Sequence, residues 1–173
     1  MGSDRGGLLS ILETHGAELH ALFTRLTLRP DVAEDLLQEL FLKLQDAAGL
    51  AGAANRTAYV FRAAIHLAFD WRRAQRPTAP LRIDPESSAA APLDRLIDAE
   101  ELEQVLIAME DLSELSRQVL VLRYLQQQDY REIARQLDKT EHQVRALCSK
   151  ALEQLRTILQ PAMPNPYLRG TQP

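Results

Sequence analysis

A single cysteine, Cys148, stands in this 173-residue sequence. No internal disulfide can form, and a Cys-rich zinc site is excluded. The four histidines, His15, His20, His66 and His142, are scattered without HExxH or similar ligand spacing. There is no Gly-rich phosphate loop and no nucleophile elbow. The sequence therefore predicts no catalytic residue, no metal site and no cofactor, and it does not read as an enzyme. No apolar run approaches the roughly 20 residues that span a bilayer. The opening "MGSDRGG" lacks the apolar core of a signal peptide. These absences predict a soluble cytoplasmic protein without membrane insertion.

Aromatic residues are also scarce, at 5% of the chain, while hydrophobic residues reach 46%. Ala, Leu, Gln, Glu and Arg dominate, which favours helices over sheets. A net charge of −4 conceals alternating blocks. "DVAEDLLQELFLKLQD" is acidic, Arg56 to Arg82 is basic, and "IDPESSAAAPLDRLIDAEELEQVLIAMED" is acidic again. Charge that changes sign by segment suggests several partner surfaces, only some of them nucleic acid.

Helical periodicity runs through the first part. Leu8, Leu9, Leu12, Leu19, Leu22, Phe23 and Leu26 recur at three- and four-residue steps. Pro30-Asp31 starts a second helix, with acidic residues in its first turn where the helix dipole favours them. Its core stripe is Val32, Ala33, Leu36, Leu37, Leu40, Phe41 and Leu44. "DAAGLAGAAN" breaks the pattern. A third helix is expected from about Thr57 to Gln75, with Phe61 and Trp71 as its packing rings. "RPTAPLRIDPESSAAAP" holds four prolines among small and polar residues and reads as a linker. Further helices are expected at about 94–110, 113–126, 129–137 and 140–159, followed by a Pro-rich tail that reads as disordered. The expected organisation is all-α. Two small helical domains, 1–76 and 93–160, are joined by an acidic Pro-rich linker, 77–92, and followed by a tail, 161–173.

The most informative stretch is "DYREIARQLDKTEHQVRALCSKAL". Asp129 with Glu132, and Thr140 with Gln143, are two capping-box signatures eleven residues apart. Only a tight turn fits between the helices they start. Ile133, Ala134 and Leu137 form one inner face. Val144, Leu147, Cys148, Ala151 and Leu152 form the other. This is a helix-turn-helix layout, whose second helix enters the major groove. Its outward face carries Glu141, His142, Gln143, Arg145, Ala146, Ser149 and Lys150. Gln and Arg suit base edges; Lys and Ser suit phosphates. A solvated helical hairpin has the same pattern, so this unit alone leaves both readings open.

The full set of motifs resembles bacterial sigma factors. "DVAEDLLQELFLKLQ" is similar to the acidic helix of region 2. "AYVFRAAIHLAFDWRRAQR" is similar to the helix that follows it. "LSELSRQVLVLRYLQQQDYREIARQLDKTEHQVRALCSKALEQLR" resembles region 4. With no room for regions 1.1 or 3, the pattern resembles the extracytoplasmic-function group. The resemblance runs from Leu8 to about Leu159.

The resemblance implies three surfaces. Asp35, Gln38 and Glu39 would bind core RNA polymerase. Arg56, Tyr59, Arg62, His66, Asp70, Arg72 and Arg73 would meet the minus-ten element of promoter DNA; cations beside rings are the ingredients of a single-strand site. Thr140, His142, Gln143, Arg145, Ala146, Ser149 and Lys150 would meet the minus-thirty-five element. An anti-sigma factor or other protein regulator is a further implied partner. The chain departs from the family pattern in three places. His66 replaces a usual Asn, Tyr59 a common Trp, and Asp138 a turn glycine. The rival functions are a stand-alone helix-turn-helix regulator and a sigma-like interaction protein without initiation activity.

Overall fold

A computed structural model describes residues 5–75 and 93–159. The expected linker and tail lie outside the described residues. Within them the secondary structure is entirely helical, in agreement with the all-α expectation.

The first unit contains α1 (Arg5–Thr27), α2 (Pro30–Leu44), a single turn α3 (Ala48–Ala51) and α4 (Arg56–Gln75). α1 ends because Leu28 turns left-handed, at φ 58°, and its N–H closes on Thr24 O. Arg29 is extended, as the residue before a proline must be, and Pro30 then fits the first helical position. The Arg29 guanidinium donates to Asp31 and holds that carboxyl below the usual carboxylate range. α2 buries Ala33, Leu36, Leu40 and Leu44 along one stripe. The glycine-containing break is not a plain loop: α3 turns once to plug Leu50 into the core.

α4 is the central helix of this unit. Asn55 Oδ1 accepts from Ala58 N–H at its start. Arg72 and Arg73 occupy its last turn, where the helix dipole favours cations. Val60, Ala64, Ala68 and Phe69 have no exposed surface. Phe69 rather than Trp71 is its fully buried ring. Phe61 packs as expected, at 5% exposure, whereas Trp71 is half-buried.

The second unit contains α5 (Leu93–Glu110), α6 (Glu114–Leu120), a π-helical turn (Val121–Leu125), α7 (Tyr130–Leu137) and α8 (Glu141–Leu159). Ser113 caps α6 by accepting from Ser116 N–H. Arg117, almost fully buried, donates to the carbonyls of Met109, Glu110 and Leu112 and so closes the end of α5. The single helix expected over 113–126 changes its winding partway. From Val121 the turn widens, with Gln126 N–H reaching Val121 O. Gln127 then turns left-handed, and Arg123 donates to Gln128 O. A π-turn adds a residue without breaking the helix. It keeps Val121 and Leu122 fully buried beside Val119 and Leu120.

Candidate nucleic-acid interface

The helix-turn-helix is built by its caps. Asp129 Oδ1 accepts from Glu132 N–H at 2.8 Å. Thr140 and Gln143 cap reciprocally: Gln143 N–H donates to Thr140 Oγ1, and Thr140 N–H donates to Gln143 Oε1. The turn between the helices is made by Asp138 at φ 52°, ψ 51°, and Lys139 N–H closes on Ala134 O. Asp enters this left-handed region more readily than most residues, so the usual glycine is dispensable.

Val144, Cys148, Ala151 and Leu155 form the buried stripe of α8. Leu147 and Leu152, read with that stripe, are only half-buried at its margin. Thr140, Glu141, His142, Gln143, Arg145, Ala146, Ser149 and Lys150 are all exposed. Arg145 pairs with Glu141 at 2.7 Å and stacks on the Tyr130 ring, 4.5 Å from its centre. The Arg123 guanidinium also approaches that ring, at 4.8 Å. Tyr130 thus holds two cations beside the outward face of α8. Sequence reading missed this because Tyr130 follows the cap and Arg123 lies in the π-turn, both off the α8 pattern.

On α2, Asp35, Gln38 and Glu39 are exposed, and Glu39 pairs with Lys43 at 3.0 Å. Beside them runs an open apolar groove of about 440 Å³, lined by Leu9, Leu12, Leu37, Gln38, Phe41 and Leu42. Leu9 and Leu42 are 46% and 61% exposed. Leu9 continues the apolar spacing of α1 but lies outside the core. An exposed apolar strip flanked by carboxylates is suited to a protein partner.

The α4 candidates divide between two faces. Tyr59, Arg62 and His66 line a cleft of about 570 Å³ against Glu114, Leu115 and Gln118 of α6. His66 Nε2 lies 3.1 Å from Asp70 Oδ2, and its Nδ1 lies 3.6 Å from Glu114 Oε1. Asp70 also accepts from Arg73. Arg56 is half-buried at the start of the helix.

Arg72 does not belong with these residues in this conformation. It is 6% exposed and points into the interface between the two units. Its guanidinium donates to both carboxylate oxygens of Glu103, to Glu110 Oε1 and to Leu26 O. No surface is left on it for a phosphate. Its partners lie 31, 38 and 46 residues away, so nothing local in the sequence marked it.

Among the described residues, no cluster of three or more His, Cys, Asp or Glu is placed to hold a metal. No described helix is long and apolar enough to cross a membrane.

A family model described as sigma-70 region 2 matches residues 11–78, and one described as sigma-70, region 4 matches residues 108–157. The chain is similar to an ECF RNA polymerase sigma factor, SigX, of Bacillus subtilis (strain 168). The identity is 24% over 156 residues, spanning 84% of this chain and 80% of the relative. Its fold is similar to that of CnrH, solved in complex with the cytosolic domain of CnrY. That match has a TM-score of 0.52 at 20% identity and covers 92% of this chain and 89% of the other.

Proposed function

The chain belongs to the extracytoplasmic-function group of the sigma-70 family, and from that premise we propose how its surfaces divide the work of initiation. As a sigma factor it binds core RNA polymerase and directs promoter-specific transcription initiation. In our reading the contact to core runs through Asp35, Gln38 and Glu39, together with the apolar groove beside them. α4 offers Arg56, Tyr59, Arg62, His66, Asp70 and Arg73 to the minus-ten strand, with Arg72 joining only if the two units separate. The outward face of α8 reads the minus-thirty-five duplex from Thr140 to Lys150. The proposed division of the chain is 1–76 for region 2 and 93–160 for region 4.

The protein works in the cytoplasm and is not itself an enzyme; polymerase supplies the chemistry. A protein regulator that binds the sigma factor is a further proposed partner; the similar fold of CnrH was solved in complex with the cytosolic domain of CnrY. The observation that carries the reading is α8. A reciprocally capped helix presents eight consecutive-face residues to solvent, in the segment that matches region 4. Its charges suit bases and phosphates without any catalytic group. The test is run-off transcription with core polymerase on a genomic library. Discrete start sites that depend on this chain are expected. Tight duplex binding without polymerase and no transcripts would instead indicate a stand-alone regulator.

A further inference from the structure

We propose that Glu141 selects promoter bases together with Arg145 by an exchange of partners. The ion pair that joins them opens where the minus-thirty-five duplex supplies a guanine for Arg145 and, within about two base pairs of it, a cytosine for Glu141. This rests on the reading of α8 given above and deepens it, because it gives the negative charge on that face a role in specificity.

A carboxylate is out of place on a helix face that meets phosphates, since like charges placed together are unfavourable. In the first turn of α8 the helix dipole favours an acidic residue. Thr140 and Gln143, however, already cap that end reciprocally. Glu141 instead begins a row that Arg145 and Ser149 continue at four-residue steps, all three exposed. Its Oε1 accepts from the Arg145 guanidinium at 2.7 Å, and the side chains of Arg145 and Glu141 are 58% and 46% exposed. A ligand arriving from solvent can therefore reach both halves of the pair.

Arg145 is oriented without being locked. It stacks on the Tyr130 ring, 4.5 Å from its centre. The same ring carries Arg123 at 4.8 Å, which Gln128 O fixes in place. Two like charges at one ring oppose each other, and Glu141 is the charge that offsets them. An exposed ion pair contributes little net stability, so it opens at small cost. When Arg145 leaves, Arg123 keeps the ring in cation contact.

Base chemistry decides which duplex can replace both halves. Guanine presents two acceptors, O6 and N7, to an arginine; cytosine presents its N4 amine, which a carboxylate accepts. Side chains four residues apart are separated by ~6 Å of helix rise, roughly two base pairs at 3.4 Å each. A duplex with both bases replaces the ion pair by charge-assisted hydrogen bonds on each side. A duplex with the guanine alone takes Arg145 and leaves Glu141 unpaired among acceptors. A duplex with the cytosine alone leaves Arg145 on Glu141. The two preferences are therefore coupled. Loss of either base should cost nearly as much as loss of both, roughly tenfold.

The experiment uses holoenzyme assembled from the full chain and core polymerase. Active promoters are selected from a library with a randomised minus-thirty-five element, for wild type, Glu141→Gln, Arg145→Ala and Glu153→Gln. The last is an exposed charge control twelve residues further along α8. Promoters with one or both bases changed are then compared by run-off transcription. Wild type and control should select the guanine and the cytosine and show the coupling. Glu141→Gln should keep the guanine and lose both the cytosine and the coupling. Arg145→Ala should lose the guanine and keep the cytosine, now regardless of its neighbour. The exchange is overturned if Glu141→Gln selects the same bases as the control, if wild type selects no cytosine near the guanine, or if the two positions act independently in wild type. If Glu141→Gln loses helicity by circular dichroism, Arg145→Ala decides: a retained, independent cytosine supports the exchange and a lost one overturns it. Absence of transcripts with every protein removes the sigma reading instead. The same selection by the full chain on bare duplex then decides the exchange on the same criteria.

Discussion

The Arg145 guanidinium stacks on the Tyr130 ring at 4.5 Å while donating to Glu141 Oε1 at 2.7 Å. Arg145 is therefore preorganised by α7 and restrained by its own helix. To reach a base it must leave Glu141.

Arg145→Ala should lose roughly 1–3 kcal/mol of discrimination at one minus-thirty-five position if the side chain reads a base bidentately. Folding should change by less than about 1 kcal/mol, because the ion pair is exposed. Glu141→Gln should act in the opposite direction, releasing Arg145 and strengthening promoter binding. Transcription from native and minus-thirty-five-mutated promoters, with melting curves, checks both. An Arg145→Ala protein that melts early yet keeps its promoter preference contradicts this orientation of α8.

Lys150→Ala should weaken DNA binding with little change in sequence preference and a shallower salt dependence, as a lost phosphate contact does. Ile133→Ala should act through stability, by about 2–5 kcal/mol, since Ile133 is fully buried in α7. Leu147→Ala should fall below that range because Leu147 is half-exposed. Denaturant melts and salt titrations on the three variants test the contrast.

Asp35→Lys with Glu39→Lys should weaken core binding while leaving the melting temperature within a few degrees, because both positions are exposed. Leu42→Gln should do the same without a charge change, since that side chain is 61% exposed beside the groove. Unchanged affinity for core enzyme in both variants would remove this surface from the contact.

His66→Asn should shift base preference in the minus-ten element without abolishing transcription. An imidazole offers donor and acceptor according to tautomer, whereas an amide always offers both. The shorter side chain should also lose the approach to Glu114. Identical preferences in a promoter-library selection would refute the role.

Gly49→Ala should alter minus-ten usage through Tyr59. A Cβ at Gly49 would lie 2.6 Å from the Tyr59 hydroxyl, so the ring must swing away. The ring end can move, so stability should fall little, by under ~1 kcal/mol. Equal melting with altered open-complex formation is the expected pair of results.

Much of this architecture was legible because the signals were local. Pro30 marked a helix start, and Thr140 with Gln143 marked another through their spacing alone. Asp138 was acceptable in a glycine position, and it does turn left-handed. The illegible parts depended on distant partners. Arg72 looked like every other cation on α4 until Glu103 and Glu110 enclosed it. Phe69 and Trp71 share a helix, but only Phe69 meets Arg117. The π-turn at Val121 carries no residue signature that periodicity detects. Leu9 continues the apolar spacing of α1 yet faces solvent, which only the packing of α1 on α2 decides.

Arg117 adds a consequence about folding order. Its three carbonyl partners lie five to eight residues away, so the α5–α6 corner closes at small loop-entropy cost. Contacts of such short range form early. The bonds of Arg72 span 31 to 46 residues and close far larger loops. The corner should gain amide-exchange protection first, and the seam between the units last. The same hierarchy, run backwards, lets the seam part while every helix stays whole.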